Sequence, residues 1–223
     1  MRGWGTRSLV GVAGLFALFL ALPVAALVGR AVLDGSLGTA LVSPVVLDAL
    51  VLSLVTTALS LVLTVVLGLP LAIVLARRRF RGKGLIEALV DLPIVLPPSV
   101  AGLALLLVFG RRGLLAQPLD VLDVTVPFTT VAVIVAQVFV SAPFFIRSAR
   151  TGIAAVDRDL EDAARVDGAS EGQVFRSVTV PLAGTALAAG LVLSWARSLG
   201  EFGATIMFAG NVEGRTQTLP LVV

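Results

Sequence analysis

An all-helical bundle that crosses a membrane several times is the fold class this sequence predicts, on three observations. Of its 223 residues, 57% are hydrophobic and 14% are charged, against roughly 45–50% apolar and about 25% charged in an average soluble domain. The mean hydropathy is +1.04. The apolar residues gather in runs long enough for spanning helices, each needing about 20 predominantly apolar residues, and the basic residues cluster between those runs. This balance excludes a disordered chain, which needs the opposite bias. The absence of histidine and cysteine excludes imidazole catalysis, thiol nucleophiles, disulfides and zinc sites built on those ligands.

Five spans are predicted in one transmembrane domain over residues 1–223. The first runs from about Leu9 to Val28. Arg2 and Arg7 before it, and Val24-Ala25-Ala26 within it, also fit a secretory signal with a small-residue cleavage site. The length of the run and Arg30 beyond it favour a retained helix. The second span lies within Val45 to Ala76, the third from about Ile86 to Phe109, the fourth from Phe128 to Ile146 and the fifth from about Val178 to Phe208. The stretch Leu219 to Val223 reads as the start of a sixth. Gly68 and Pro70 in the second span, and Pro93, Pro97 and Pro98 in the third, predict kinks, because proline removes a backbone donor. A break at these prolines, with Ser99 beside it, is also a candidate lining for a path across the membrane.

Charge sets the orientation. Arg77-Arg78-Arg79-Phe80-Arg81-Gly82-Lys83 carries five positive charges, and the stretch from Arg147 to Arg176 carries five more. With Arg2 and Arg7 these make 12 on one side, against four (Arg30, Arg111, Arg112 and Arg215) on the other. The basic side of a membrane protein faces the cytoplasm. The N-terminus and the loops near residues 80 and 160 are therefore expected inside a plasma membrane. The same pattern explains the excess of 17 basic over 14 acidic residues without a nucleic-acid partner.

Two polar stripes stand out. Ser53, Thr56, Thr57, Ser60 and Thr64 share one face of the second helix, and Ser194, Arg197, Ser198, Glu201 and Thr205 share one face of the fifth. Hydroxyls of this kind join membrane helices, and that reading suits the first stripe. The second holds two ionisable groups four residues apart, positioned to pair. It reads either as a structural ion pair or as a face bordering a path, with Arg197 near a passing anion.

The loop from Thr151 to Pro181 carries the clearest signal. Asp157 and Asp159 suit a helix N-terminus, where negative charge complements the dipole. Gly168 suits a left-handed helix stop, and Ser170 suits the cap of a second short helix opening with Glu171. The small Ala163 and Ala164 leave room for another protein to approach. Asp162-Ala163-Ala164, three residues, Gly168, nine residues, then Val178-Thr179-Val180-Pro181 resembles the EAA signature of permease subunits of ABC importers. Asp stands for the usual Glu, with Glu161 adjacent, and valines stand for Ile and Leu.

The stretches Leu92-Pro93-Ile94-Val95-Leu96-Pro97-Pro98-Ser99, Ser198-Leu199-Gly200-Glu201-Phe202-Gly203-Ala204-Thr205 and Arg215-Thr216-Gln217-Thr218-Leu219-Pro220 resemble the molybdate/tungstate branch, with sulfate/thiosulfate permeases close by. The resemblance implies a type I permease core with a sixth helix after the last stretch, and a non-catalytic subunit that binds no cofactor. It implies a homodimer with a second permease copy, an ATPase subunit carrying ATP and Mg2+, and an extracytoplasmic substrate-binding protein. In it, Glu161, Asp162, Ala163, Ala164, Gly168 and Pro181 belong to the coupling loop that docks on the ATPase. No G-x-x-x-x-G-K-[ST] phosphate loop occurs in the sequence. The rival from another class, an ion-coupled secondary transporter, calls for intramembrane acids and inverted repeats. Glu201 is the one membrane acid of note, and no persuasive repeat is present.

Overall fold

The computed structural model describes residues 4–222. Arg2 of the N-terminal basic pair and Val223 of the final apolar stretch lie outside the described residues. The described chain is helical without strands and divides into two units, residues 1–47 and 48–223.

The first unit holds α1 (Trp4–Leu33) and α2 (Ser36–Val42). At 30 residues α1 is about 45 Å long at 1.5 Å per residue, enough to span a bilayer. Its apolar residues are exposed on every side, Leu9, Leu15, Phe19 and Leu27 among them. A helix hydrophobic all round belongs in lipid or against another apolar surface.

The second unit is built on three helices. α3 (Pro44–Arg77) runs on unbroken through Gly68 and Pro70, so the kink predicted there does not interrupt it. Gly68 instead allows close approach: a Cβ there would lie 3.0 Å from Ile146 Cγ1. After α4 (Lys83–Val95), α5 (Pro98–Phe109) and the short α6 (Ala116–Val121), α7 (Thr130–Ala155) returns parallel to α3. Contacts of Thr56 with Gln137, Gly68 with Ile146, and Arg77 with Val156 mark the shared direction.

Next come α8 (Arg158–Val166) and α9 (Glu171–Val174), the latter continuing through a π turn (Phe175–Thr179) into α10 (Val180–Leu182). α11 (Gly184–Leu199) then runs antiparallel to α7. Gly190 packs on Phe145 and Ser148, and Gly152 packs on Ala186; small residues let membrane helices approach closely. α12 (Gly203–Phe208) and a 3-10 turn (Leu219–Leu221) complete the described elements. That turn occupies the stretch predicted to open a sixth span, where Leu219 N–H donates to Ser53 Oγ at 2.7 Å. One apolar core joins α5, α7 and α12 through Ala101, Leu105, Ala136 and Phe208, and another joins α3 to α7 through Ala72, Leu75, Phe145 and Ala149.

Three predicted spans differ from the observed helices. The third is two helices, α4 and α5, at 120° to each other. The residue before a proline is pushed out of the helical region, and Leu96 accordingly has ψ 134°. Pro98 then opens α5, where its missing N–H is no loss. Pro93, by contrast, stays inside α4. The fifth span is bent by 74° between residues 171–182 and 184–199 and stops at Gly200, so Gly203–Phe208 is a separate helix. The fourth runs nine residues beyond Ile146, carrying Arg147 and Arg150 on the helix rather than in a loop. Acids on α4 make that possible: Glu87 pairs with Arg150, and Asp91 with Arg147.

Candidate functional site

The predicted loop forms an arm built from α8, a turn, α9 and the π turn. Asp157 caps α8, its Oδ1 accepting the Asp159 N–H at 3.0 Å. Past the helix end, the N–H of Gly168 donates to Arg165 O and that of Ala169 to Ala164 O, both at 3.0 Å. This double bond pattern is a Schellman stop. Gly168 has φ +90°, and nothing lies within 4 Å of a Cβ placed there. Backbone conformation, and not space, therefore demands glycine.

Across the turn, Arg165 grips both oxygens of Glu171, with Nε–Oε1 at 2.7 Å and Nη2–Oε2 at 3.1 Å, and also reaches Asp162 at 2.6 Å. These hydrogen bonds hold the Arg165 guanidinium more firmly protonated and push the Glu171 carboxyl below its ordinary range. The fork therefore stays ionised where a free glutamate begins to protonate, and is lost only as pH falls further. Ser170 N–H donates to Gln173 Oε1 at 2.7 Å, closing the start of α9. Pro181 cannot return a hydrogen bond to the preceding turn, and the ladder widens to a π turn just before it.

Glu161 and Asp162 separate into two roles. Asp162, Ala163 and Gly168 are exposed, and Ala164 is half-buried. Glu161 is 6% exposed and turned inward. Its Oε1 lies 2.5 Å from Arg77 Nη2 and accepts the Thr179 hydroxyl at 2.6 Å. Arg77 also donates to Val156 O, and Arg158 donates to Arg77 O. Glu161 thus clasps the arm to the last residue of α3. Arg77 and Thr179, 84 and 18 residues away, were not read from the sequence as partners of Glu161. Leu160, 51% exposed, and Val166, 88% exposed, were also missed. With Ala163 they form an outward apolar stripe at helical spacing, a signal the sequence did contain.

The second region is where two helix breaks meet. A Cβ at Gly203 would lie 2.5 Å from Pro98 Cβ, and one at Gly102 would lie 2.7 Å from Ala204 O. The α4–α5 break and the α11–α12 break therefore touch, with Ser99 exposed in the first turn of α5. Glu201 is 1% exposed. Its Oε1 accepts the Ala204 N–H at 2.6 Å, and its Oε2 lies 2.6 Å from Arg197 Nη1, an ion-pair contact outside hydrogen-bond angles. Arg197 keeps 28% side-chain exposure. Ser198 and Ser60 share a hydrogen bond of 2.8 Å, and Gln137 Nε2 donates to Thr56 Oγ1 at 3.2 Å.

Ser194 and Thr205 are wholly buried, their hydroxyls without a side-chain partner among the described residues. The two predicted stripes therefore meet at Ser60 and Ser198 inside the bundle, and only Arg197 and Ser99 of the predicted path residues reach its surface. Among the described residues no three metal-ligating side chains converge.

Helices long and apolar enough to cross a membrane, with a polar arm clasped to the end of one of them, define a multi-span membrane protein. The chain belongs to the family described as the inner membrane component of binding-protein-dependent transport systems, whose model matches residues 68–221. It is 44% identical over 216 residues to the molybdenum transport system permease protein ModB of Mycobacterium bovis, covering 96% of this chain and 80% of that one. The Escherichia coli protein of the same name is 40% identical over 174 residues, covering 78% and 76%. The molybdate/tungstate transport system permease protein WtpB of Pyrococcus abyssi is 39% identical over 193 residues, covering 86% and 73%.

Proposed function

We propose that this chain is the membrane-spanning permease subunit of an ATP-driven importer for tetrahedral oxyanions, molybdate or tungstate. The observation that carries the coupling part is the arm: an exposed Leu160–Ala163–Val166 stripe on a helix clasped by Glu161 to Arg77, the end of a 34-residue helix. Such an arm passes a push from a docked partner straight into α3. The substrate rests on the relatives, all three named for molybdenum or molybdate/tungstate transport.

In this reading two copies of the chain surround a central path. An ATPase pair holding ATP and Mg2+ docks on the arms at Asp162, Ala163, Ala164 and Gly168, and an extracytoplasmic binding protein delivers the anion. The chain itself binds no cofactor and is not an enzyme. Its N-terminus and arm face the cytoplasm, as the basic residues favour. ATP binding closes the ATPase pair, and the arms turn that closure into a change in which side of the path is open. Uptake of radiolabelled molybdate, tungstate and sulfate by the reconstituted complex tests the assignment. Competition by molybdate or tungstate at equimolar sulfate is expected. Preference for sulfate overturns the substrate, and uptake without the ATPase overturns the class.

Two variants probe the machinery. Gly168→Val places a β-branched residue in the left-handed region, at roughly 1–2 kcal/mol of strain, and misaims the arm. ATP hydrolysis is expected to continue while uptake falls; normal uptake with normal substrate-stimulated hydrolysis counts against the model. Arg197→Gln is expected to reduce transport more than assembly if Arg197 borders the path. Transport by those complexes that still assemble, alongside widespread disassembly, marks the pair as structural only.

A further inference from the structure

α7 and α4 carry charge deeper than their loops require. From the end of the helices inward stand Lys83 with Glu87, Glu87 with Arg150, then Asp91 with Arg147 at 3.6 Å. Arg147 lies eight residues before the end of α7, about 12 Å along the axis. Centring this helix of about 39 Å on a hydrocarbon core of about 30 Å places that position inside the core. Arg147 and Asp91 are nevertheless 59% and 41% exposed. Arginine can snorkel to the interface, but aspartate has a single methylene and cannot. Ionisable groups at this depth face a bundle interior or a water-filled cavity. An open groove of about 430 Å³ lies there, bordered by Ile94, Phe144, Arg147, Thr151 and Leu193.

We infer that this groove is the cytoplasmic half of the anion passage and that Arg147 is its anion-contacting residue, with Asp91 holding the guanidinium between passages. The inference rests on the importer reading above, and it assigns the passage to residues outside both polar stripes. The 3.6 Å contact is longer than a hydrogen bond, so the guanidinium keeps donors free in the planar array that suits an oxyanion. The neighbouring carboxylate limits how tightly an anion is held, which a conducting site needs.

The absence of native cysteine makes the test direct. In the reconstituted importer, Thr151→Cys and Ile94→Cys are labelled with an anionic, membrane-impermeant thiosulfonate from the ATPase side. Val66→Cys on α3, at a side chain 60% exposed, serves as the lipid-facing control. Both groove positions are expected to react and Val66→Cys is not. Molybdate is expected to slow the groove reaction about tenfold, as one charge-assisted contact would, and Arg147→Gln to abolish that protection. Groove cysteines as inert as Val66→Cys overturn the passage. Protection that survives Arg147→Gln overturns the role of Arg147. Protection by sulfate and not molybdate keeps the passage and overturns only the substrate assignment.

Discussion

Glu161→Ala is expected to abolish most uptake while leaving the ATPase subunits able to hydrolyse ATP. The variant strands Arg77, whose side chain is 16% exposed beside a carboxylate at 7%. Removing one partner of a buried pair costs about 3–5 kcal/mol, and the residual exposure of Arg77 places the effect near the lower figure. The Thr179 hydroxyl loses its acceptor at the same time. The loss falls on the joint between arm and α3, so force from the ATPase no longer reaches the long helix. Proteoliposome uptake and ATP hydrolysis, measured side by side, check this. The double variant Arg77→Met/Glu161→Leu removes both charges and is expected to recover most of the stability, since apolar replacement of a whole buried pair is often neutral. Wild-type uptake by Glu161→Ala would remove the clasp from the mechanism.

Gly102→Leu is expected to be the most damaging single change in the membrane part. Its Cβ would meet the Ala204 carbonyl oxygen at 2.7 Å, Met207 Cβ at 2.7 Å and Ala204 Cα at 3.0 Å. Backbone atoms cannot swing aside as side-chain ends do, so α5 and α12 must part. Overpacking of a filled core costs about 1–3 kcal/mol and occasionally more; the backbone clash puts this case at the upper end. Gly68→Ala is the matched control, because its nearest neighbour is the flexible Ile146 side chain at 3.0 Å. Thermal unfolding of the solubilised complex should show a large drop for the first and a small one for the second.

The parts of this structure that were legible in the sequence depend on local rules. Spanning helices follow from apolar run length, the α4–α5 break from Pro97-Pro98, and the arm's turn from Gly168. The parts that were not legible depend on partners distant in the chain. Glu161 looks like one more solvated charge of a polar loop until Arg77 is brought to it by the parallel packing of α3 and α7. Ser198 has the spacing of a path-lining stripe, but spacing does not say which neighbour a side chain meets, and here it meets Ser60 of α3. Arg147 reads as the start of a loop because charge ends a hydropathy run, yet the acids of α4 let the helix continue. The break at Gly200 has no proline to announce it; Glu201 organises it by accepting the Ala204 N–H from within the bundle.

Coupling requires the outward stripe of α8 to meet an ATPase. Val166→Cys, introduced into the cysteine-free chain at an 88% exposed position, can be crosslinked with a short thiol-reactive reagent in the assembled importer. The predicted result is a product between this chain and the ATPase subunit whose yield changes with ATP. Labelling of Val166→Cys from the external face of the membrane, with no such product, would contradict it.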